Sequence, residues 1–198
     1  MIKNIAPRLW IVLLFTAGCI ACSATSAPVS FYSLSALCPP NRHSSQATAP
    51  SIGVGPVILP GYLNRPQMIT RTGANQMHID EYHRWAGDLE QDMVRVLTEN
   101  LMVLLGPDRI APIPWPSDFN PDITVRLEVF AFEGSTDGTV HLRASISIAD
   151  RRAAGAARMW TVDLTQQTPK HGYDAMVAAQ SQLLADLSRQ IAEAITGR

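Results

Sequence analysis

Five histidines, His43, His78, His83, His141 and His171, are the side chains best suited to acid-base work or metal ligation. Their spacing supports neither, because no pair has the interval of a helix-borne zinc site or of a Cys-His site. His78 and His83 enclose Asp80 and Glu81, a polar grouping expected in a solvated turn. Serines are plentiful, yet none stands in Gly-x-Ser-x-Gly, and Gly53-Val54-Gly55 is two glycines within an apolar strand rather than a phosphate-cradling loop. Asp88, Glu90 and Asp92 form an acidic run in an amphipathic segment, where carboxylates face water and complement a helix N-terminus. The residues therefore nominate no nucleophile with its base, no metal set and no cofactor.

Chemistry of another kind is written at the N-terminus. Lys3 and Arg8 precede the apolar stretch Leu9 to Phe15, which runs into Thr16-Ala17-Gly18-Cys19. That stretch is too short to span roughly 30 Å of hydrocarbon, and its small residues offer a peptidase an extended cleavage site. The small-small-Cys ending resembles a bacterial lipobox, in which the cysteine thiol is acylated and becomes the mature N-terminus. Cys19 fits that pattern best. Cys22, after Ala21, is the alternative, and an ordinary secretory leader cut near Ala24 or Ala27 would leave a free periplasmic protein. A three-chain anchor, at about 0.8 kcal/mol per buried methylene, holds essentially permanently. Ile20 and Ala21 include no aspartate, the usual inner-membrane retention residue, so by resemblance to that sorting rule the destination is the periplasmic face of the outer membrane.

Loss of residues 1–18 removes two basic side chains and leaves 14 Lys and Arg against 17 Asp and Glu, a net charge of −3. Such a chain is no polyanion binder. The remaining ~180 residues suit one domain with a sizeable core, and no later apolar run is long enough to cross a membrane. Of three cysteines, Cys22 lies in the tether and Cys38 in a Pro-rich loop, so a disulfide between them would staple only flexible chain.

The elements that position these residues follow from periodicity. Phe31-Tyr32-Ser33-Leu34 reads as a first strand, Ser51 to Leu59 as a buried one ended by Pro60, and Gln67 to Thr72 and Gln76 to Tyr82 as two more. A helix is predicted from Tyr82 to Leu105, with Trp85, Leu89, Met93, Val96, Leu97, Leu101, Leu104 and Leu105 on one face and Gly106-Pro107 as its stop. Arg109 to Ile113 is a short strand. Val125, Leu127 and Val129, then Val140 to Ile148, alternate apolar with polar residues and are joined by a turn at Glu133 to Gly138. Arg158 to Leu164 completes an antiparallel meander. A last amphipathic helix runs from Tyr173 to Ile195. The expected fold is a single layered α/β domain, a mixed, mostly antiparallel sheet packed by two long amphipathic helices. The expected organisation is a leader over 1–18, a lipidated tether over 19–30 and the domain over 31–198.

One segment exceeds what core-building requires. Between Gly55 and Arg71 three prolines fix the turns, Arg65 and Arg71 lie in extended chain that would aim them to one side, and Arg84-Trp85 follows at the expected helix start. The plain account has these arginines paired with Asp80, Glu81 or Asp88, with Trp85 in the core. The block Leu59-Pro60-x-Tyr62-Leu63-x-Arg65-Pro66-Gln67-x-x-Thr70-Arg71, with Arg84-Trp85-Ala86, Pro114-Trp115 and the upstream Phe31-Tyr32-Ser33-Leu34, resembles the auxiliary lipoproteins of ABC-type transport systems, the PqiC-like, paraquat-inducible family. The resemblance covers nearly the whole mature chain, departing at Gly87-Asp88. It implies a non-catalytic outer-membrane lipoprotein that docks a periplasm-spanning MCE-domain protein and its inner-membrane transporter components in phospholipid transport, maintaining the envelope, and it is compatible with a homo-oligomeric ring. On that reading Tyr62, Arg65, Arg71, Arg84, Trp85 and Trp115, with Leu59, Pro60, Leu63 and Pro66, shape a loop or contact the partner, as arginine and aromatics do at interface hot spots. The competing readings are a periplasmic carrier enclosing its own lipid and an envelope hydrolase with a triad assembled from distant residues.

Overall fold

A computed structural model describes residues 27–37, 50–106, 109–153, 157–168 and 172–197. The chain order is β1 (Ser30–Tyr32), β2 (Ile52–Ile58), β3 (Gln67–Gly73), β4 (Gln76–Trp85), α1 (Leu89–Leu105), β5 (Ile110–Pro112), β6 (Ile123–Ser135), β7 (Thr139–Asp150), β8 (Arg158–Gln167) and α2 (Tyr173–Thr196). The expected leader, both candidate acylation cysteines and Cys38 with the loop predicted around it lie outside the described residues, as does the Cys22–Cys38 bridge considered above.

The strongest alternation in the sequence builds the longest ladder. Ile123, Val125, Leu127 and Val129 of β6 are buried, and the last three face Ile148, Ile146 and Ala144 of β7 across an antiparallel register that β8 then extends. The other edge of β6 is shared by two strands placed end to end. β2 runs parallel to its first half, with Val54 beside Val125 and Val57 beside Leu127, whereas β3 meets only its end, with Thr70 beside Gly134 and Arg71 beside Ser135. Beyond β2 lies β5, and beyond β3 lie β4 and β1. The eight described strands thus make one curled, mixed sheet that forks at β6. Both helices pack against it and touch each other, and Asn100 of α1 donates to the hydroxyl of Ser188 on α2 at 3.1 Å. The mixed α/β layering with two amphipathic helices matches the sequence expectation.

A bulge between Val129 and Ala131 shifts β6 by one position relative to β7. Because side chains alternate with a period of two, such a shift moves the core face onto the other parity. Phe132 therefore takes up the core role opposite Leu142, and Gly134 turns toward α2, where a Cβ would collide with the thioether of Met176. Glu133 is left on the opposite face of the sheet.

The first helix starts later than its apolar periodicity suggests. Residues 82–85 stay extended as the end of β4 because the amide of Trp85 donates to Pro66 O and that of Ala86 to Tyr32 O, both at 2.7 Å. Asp88 then caps α1, accepting from the Gln91 amide at 3.0 Å. The Gly87-Asp88 pair is the helix start itself. Trp85 is buried, but it enters the core from a strand rather than from the helix.

Candidate functional site

The segment singled out by its prolines, arginines and aromatics occupies the fork. It leaves the edge of β6 at the end of β2 and returns to it in β3. Along the intervening stretch of β6 neither strand pairs, so Phe130 and its neighbours need other partners for their backbone groups. The loop supplies them. The Tyr62 hydroxyl reaches Phe130 O at 3.3 Å and donates to Glu133 Oε2 at 2.9 Å.

Glu133 is the centre of this arrangement, with only 2% of its side chain exposed. Its Oε1 accepts from Arg71 Nε at 2.9 Å and Nη2 at 2.6 Å, and its Oε2 accepts from the Tyr62 hydroxyl and from the Phe132 amide, each at 2.9 Å. Four donors meet the roughly four acceptor positions of a carboxylate, which is the condition for keeping such a group out of water. Burial, reinforced by the adjoining Glu133 carboxylate, pushes the Tyr62 phenol far above its usual value of 10. The hydrogen bonds from Arg71 to Glu133 hold its guanidinium charged. On the helix side of the same strand Gln180 of α2 donates to Phe132 O at 3.0 Å, so this stretch of β6 is gripped from both faces.

The motif residues divide accordingly. Leu63 and Trp85 are core residues, and Leu59 and Tyr62 pack half-buried against it. Trp115 packs its indole over Gly53 in β2, within 2.6 Å of where a Cβ would stand, so glycine is required there by close approach. Arg84 pairs with Glu81 at 3.1 Å, as the sequence suggested. Arg71 pairs with Glu133 instead of Asp80, Glu81 or Asp88, because the β3–β6 pairing brings it to the end of β6. Arg65 lies in the turn before β3, not in line with Arg71, and with Pro66 it is exposed. Sequence reasoning placed Glu133 in a turn. A signal was available: an acidic residue continuing a strand whose alternation breaks at Ala131.

A second polar cluster ties β4 to α2. His83, Tyr173 and Tyr32 form a triangle of rings, with His83 stacked on Tyr173 at 4.2 Å and Tyr32 5.9 and 6.2 Å from the two. Asp80 accepts from the amides of Tyr82 and His83 and from the Tyr173 hydroxyl at 3.0 Å, while His83 Nδ1 sits 3.0 Å away, at ion-pair distance but off the line of a hydrogen bond. Burial pushes the Asp80 carboxyl up, but His83, the Tyr82 amide and Tyr173 together outweigh it and hold it at about 2. The grouping of His78, Asp80, Glu81 and His83 is therefore a strand with a bulge opposite Gln67 and Met68, not a solvated turn. Among the described residues no group of three His, Cys, Asp or Glu is placed to hold a metal ion.

The acidic run of α1 is also employed. Asp92 accepts the Leu34 amide at 2.7 Å, Arg95 donates to Leu34 O at 2.8 Å, and Asn100 accepts the Leu37 amide at 2.7 Å. These contacts fasten residues 33–37 along the helices. No helix among the described residues is long and apolar enough to cross a membrane.

This arrangement joins elements, fastening the loop to β6 and β6 to α2. Comparison with known proteins gives the family. A family model described as ABC-type transport auxiliary lipoprotein component matches residues 32–192. The crystal structure of an uncharacterised protein is similar, with 27% identity and a TM-score of 0.71 over 85% of this chain and 99% of the other. The protein XCC0632 from Xanthomonas campestris shares the fold, with 13% identity and a TM-score of 0.64 over 83% of this chain and 93% of the other. No curated protein matches the chain.

Proposed function

The chain belongs to the ABC-type transport auxiliary lipoprotein family, and from that premise we propose that it is the outer-membrane dock of an intermembrane lipid transporter. Acylated at Cys19, or at the alternative Cys22, it sits on the periplasmic face of the outer membrane. There it receives a periplasm-spanning MCE-domain protein whose ABC components lie in the inner membrane, and phospholipid passes at the junction. A ring of anchored copies capping the tunnel is the assembly this reading implies. The observation that carries it is the family match over nearly the entire folded region. The fork adds a physical rationale: Tyr62, Arg71, Leu63 and Trp85 are spent on fixing the loop, which presents Arg65 outward from a rigid base. A preorganised turn spares the backbone part of the ordering cost on contact and leaves only that of the side chain.

The test is a pull-down of the tagged, membrane-extracted protein, with the mass of its N-terminal peptide measured on the same sample. Co-purification of an MCE-domain protein with an acylated N-terminal cysteine supports the dock, and Arg65→Glu should then weaken capture without lowering the melting temperature. An unacylated peptide with no such partner removes both the anchor and the docking role.

A carrier role is favoured by one feature, an open groove of about 760 Å³ between α1 and the segment Pro112, Ile113 and Pro114, into which Val94 and Met102 face. That volume lies within the usual range for small-molecule pockets, ~300–1,000 Å³. Phospholipid retained stoichiometrically by the purified protein and lost in Ile113→Arg would support it over docking alone.

A further inference from the structure

The edge of the sheet where the chain enters carries an apolar face. In β1 the side chains alternate: Tyr32 turns inward beside Trp85, while Phe31 is 65% exposed. The parallel register sets Ser30 beside His83 and Phe31 beside Arg84, and Val29 and Tyr82 each stand one residue before that ladder begins. Val29 is 41% and Tyr82 47% exposed, so three large side chains are exposed where β1 and β4 begin to pair. Arg84, beside Phe31, is paired with Glu81 at 3.1 Å, and Asp174 of α2 lines the groove that Phe31 borders. The outer edge of β1 has no strand partner among the described residues.

We propose that Val29, Phe31 and Tyr82 form a membrane-contact face, seated in the headgroup region of the leaflet that carries the chain's own lipid anchor. The proposal rests on the anchored reading of the N-terminus. Its first support is the length of chain between anchor and patch. Val29 follows Cys19 by ten residues, a reach of at most ~36 Å when fully extended. Among the described residues, Val29 and Phe31 are the first large apolar side chains after the anchor, ahead of the first core residue, Leu34. Its second support is chemistry. A tyrosine and a phenylalanine beside a paired arginine suit the boundary between headgroups and acyl chains, where an aromatic ring can bury its body and keep a polar tip wet. Because Arg84 is paired with Glu81 and the other charge at Phe31 is the carboxylate Asp174, the contact depends on apolar burial and not on attraction to anionic lipid.

The consequence is an orientation. An acyl anchor alone leaves the domain free to swivel, whereas a second contact close to the anchor holds the β1 edge down. The effective concentration set by so short a tether allows a patch too weak to bind vesicles alone to engage when the anchor is inserted.

The experiment uses the full-length protein with p-benzoylphenylalanine placed at position 31, 82 or, as control, 159, where Met159 on β8 is 69% exposed. Each protein is reconstituted into phosphatidylcholine vesicles with and without phosphatidylglycerol, irradiated, and analysed by intact mass, with the N-terminal peptide examined in parallel. Several-fold more phospholipid adduct at 31 and 82 than at 159, unchanged by phosphatidylglycerol, is the expected result. Equal adduct at all three positions, or adduct at 31 and 82 formed with protein instead of lipid, overturns the proposal. If the N-terminal peptide proves unacylated, the anchored reading fails separately. Preferential lipid adduct at 31 and 82 would then still support the face, and its absence would still overturn it.

Discussion

Replacing Arg71 with methionine keeps most of the side chain's packing and removes its charge from Glu133. Two charge-assisted hydrogen bonds, at 2.9 and 2.6 Å, are lost from a carboxylate that is 2% exposed. Breaking a buried ion pair from one side costs about 3–5 kcal/mol. Arg71 itself is 32% exposed, so water can reach part of the vacated space, and the lower end, about 3 kcal/mol, is expected. For a domain of this size that corresponds to a fall in Tm of about 6–12 °C. The decisive measurement is a double-mutant cycle with Glu133→Gln, by urea unfolding of the detergent-extracted protein followed through tryptophan fluorescence. With the carboxylate already gone, Arg71→Met should cost only about 1 kcal/mol, giving a coupling of about 2 kcal/mol. If Arg71→Met costs the same in both backgrounds, to within about 0.5 kcal/mol, the pair does not fasten the fork, and Tyr62 and Arg71 have no structural purpose in common.

Tyr62→Phe removes one donor to a charged acceptor and should cost about 1.5 kcal/mol by the same unfolding assay; it should also flatten the loss of stability expected above pH 10, because the folded phenol titrates higher than the unfolded one. Asp80 is held at about 2 against an ordinary 3.8, so its contribution is complete above roughly pH 4 and is lost as pH falls toward 2. Asp80→Asn should shallow the acid limb of a Tm–pH profile without abolishing it, since Asp122, Asp137 and Asp150 are lowered as well. Gly53→Ala drives a Cβ into the Trp115 indole and Pro121, neither of which can swing away cheaply, and should cost about 1–3 kcal/mol by thermal unfolding. Asp88→Ala removes the cap of α1 and should cost about 1 kcal/mol in the same measurement.

Much of this fold was legible where local periodicity and tertiary packing agree. The alternation of Val140 to Ile148 and the helical stripe from Met176 to Ile191 are the clearest cases, since each buries one face against a neighbour. The start of α1 was not, because Trp85 continues the apolar stripe of the helix while its amide is claimed by the Pro66 carbonyl in the turn before β3. Hydrophobic spacing cannot see a hydrogen bond made across roughly twenty residues of sequence. The pairing of β6 with both β2 and β3 was hidden for a related reason, since parallel partners carry no turn signal between them. Residues of the site divide the same way. Tyr62 and Arg71 stood out by type and context, but Glu133, which gives them their purpose, sits in a strand whose parity changes at one bulge.

The fastening of residues 33–37 decides where a pull on the N-terminus is felt. Traction from that end meets first the three residue pairs between β1 and β4, and next the bonds from Leu34 to Asp92 and Arg95 and from Leu37 to Asn100. The load path therefore divides: one branch enters the helices, through Ser35 to Ser181 of α2 and through Asn100 to Ser188, and the other enters β4, which holds Pro66 and β3. Drag on the domain would be shared between the helical layer and the strand that abuts the fork, so tension on the N-terminus reaches the loop around Glu133 through β4.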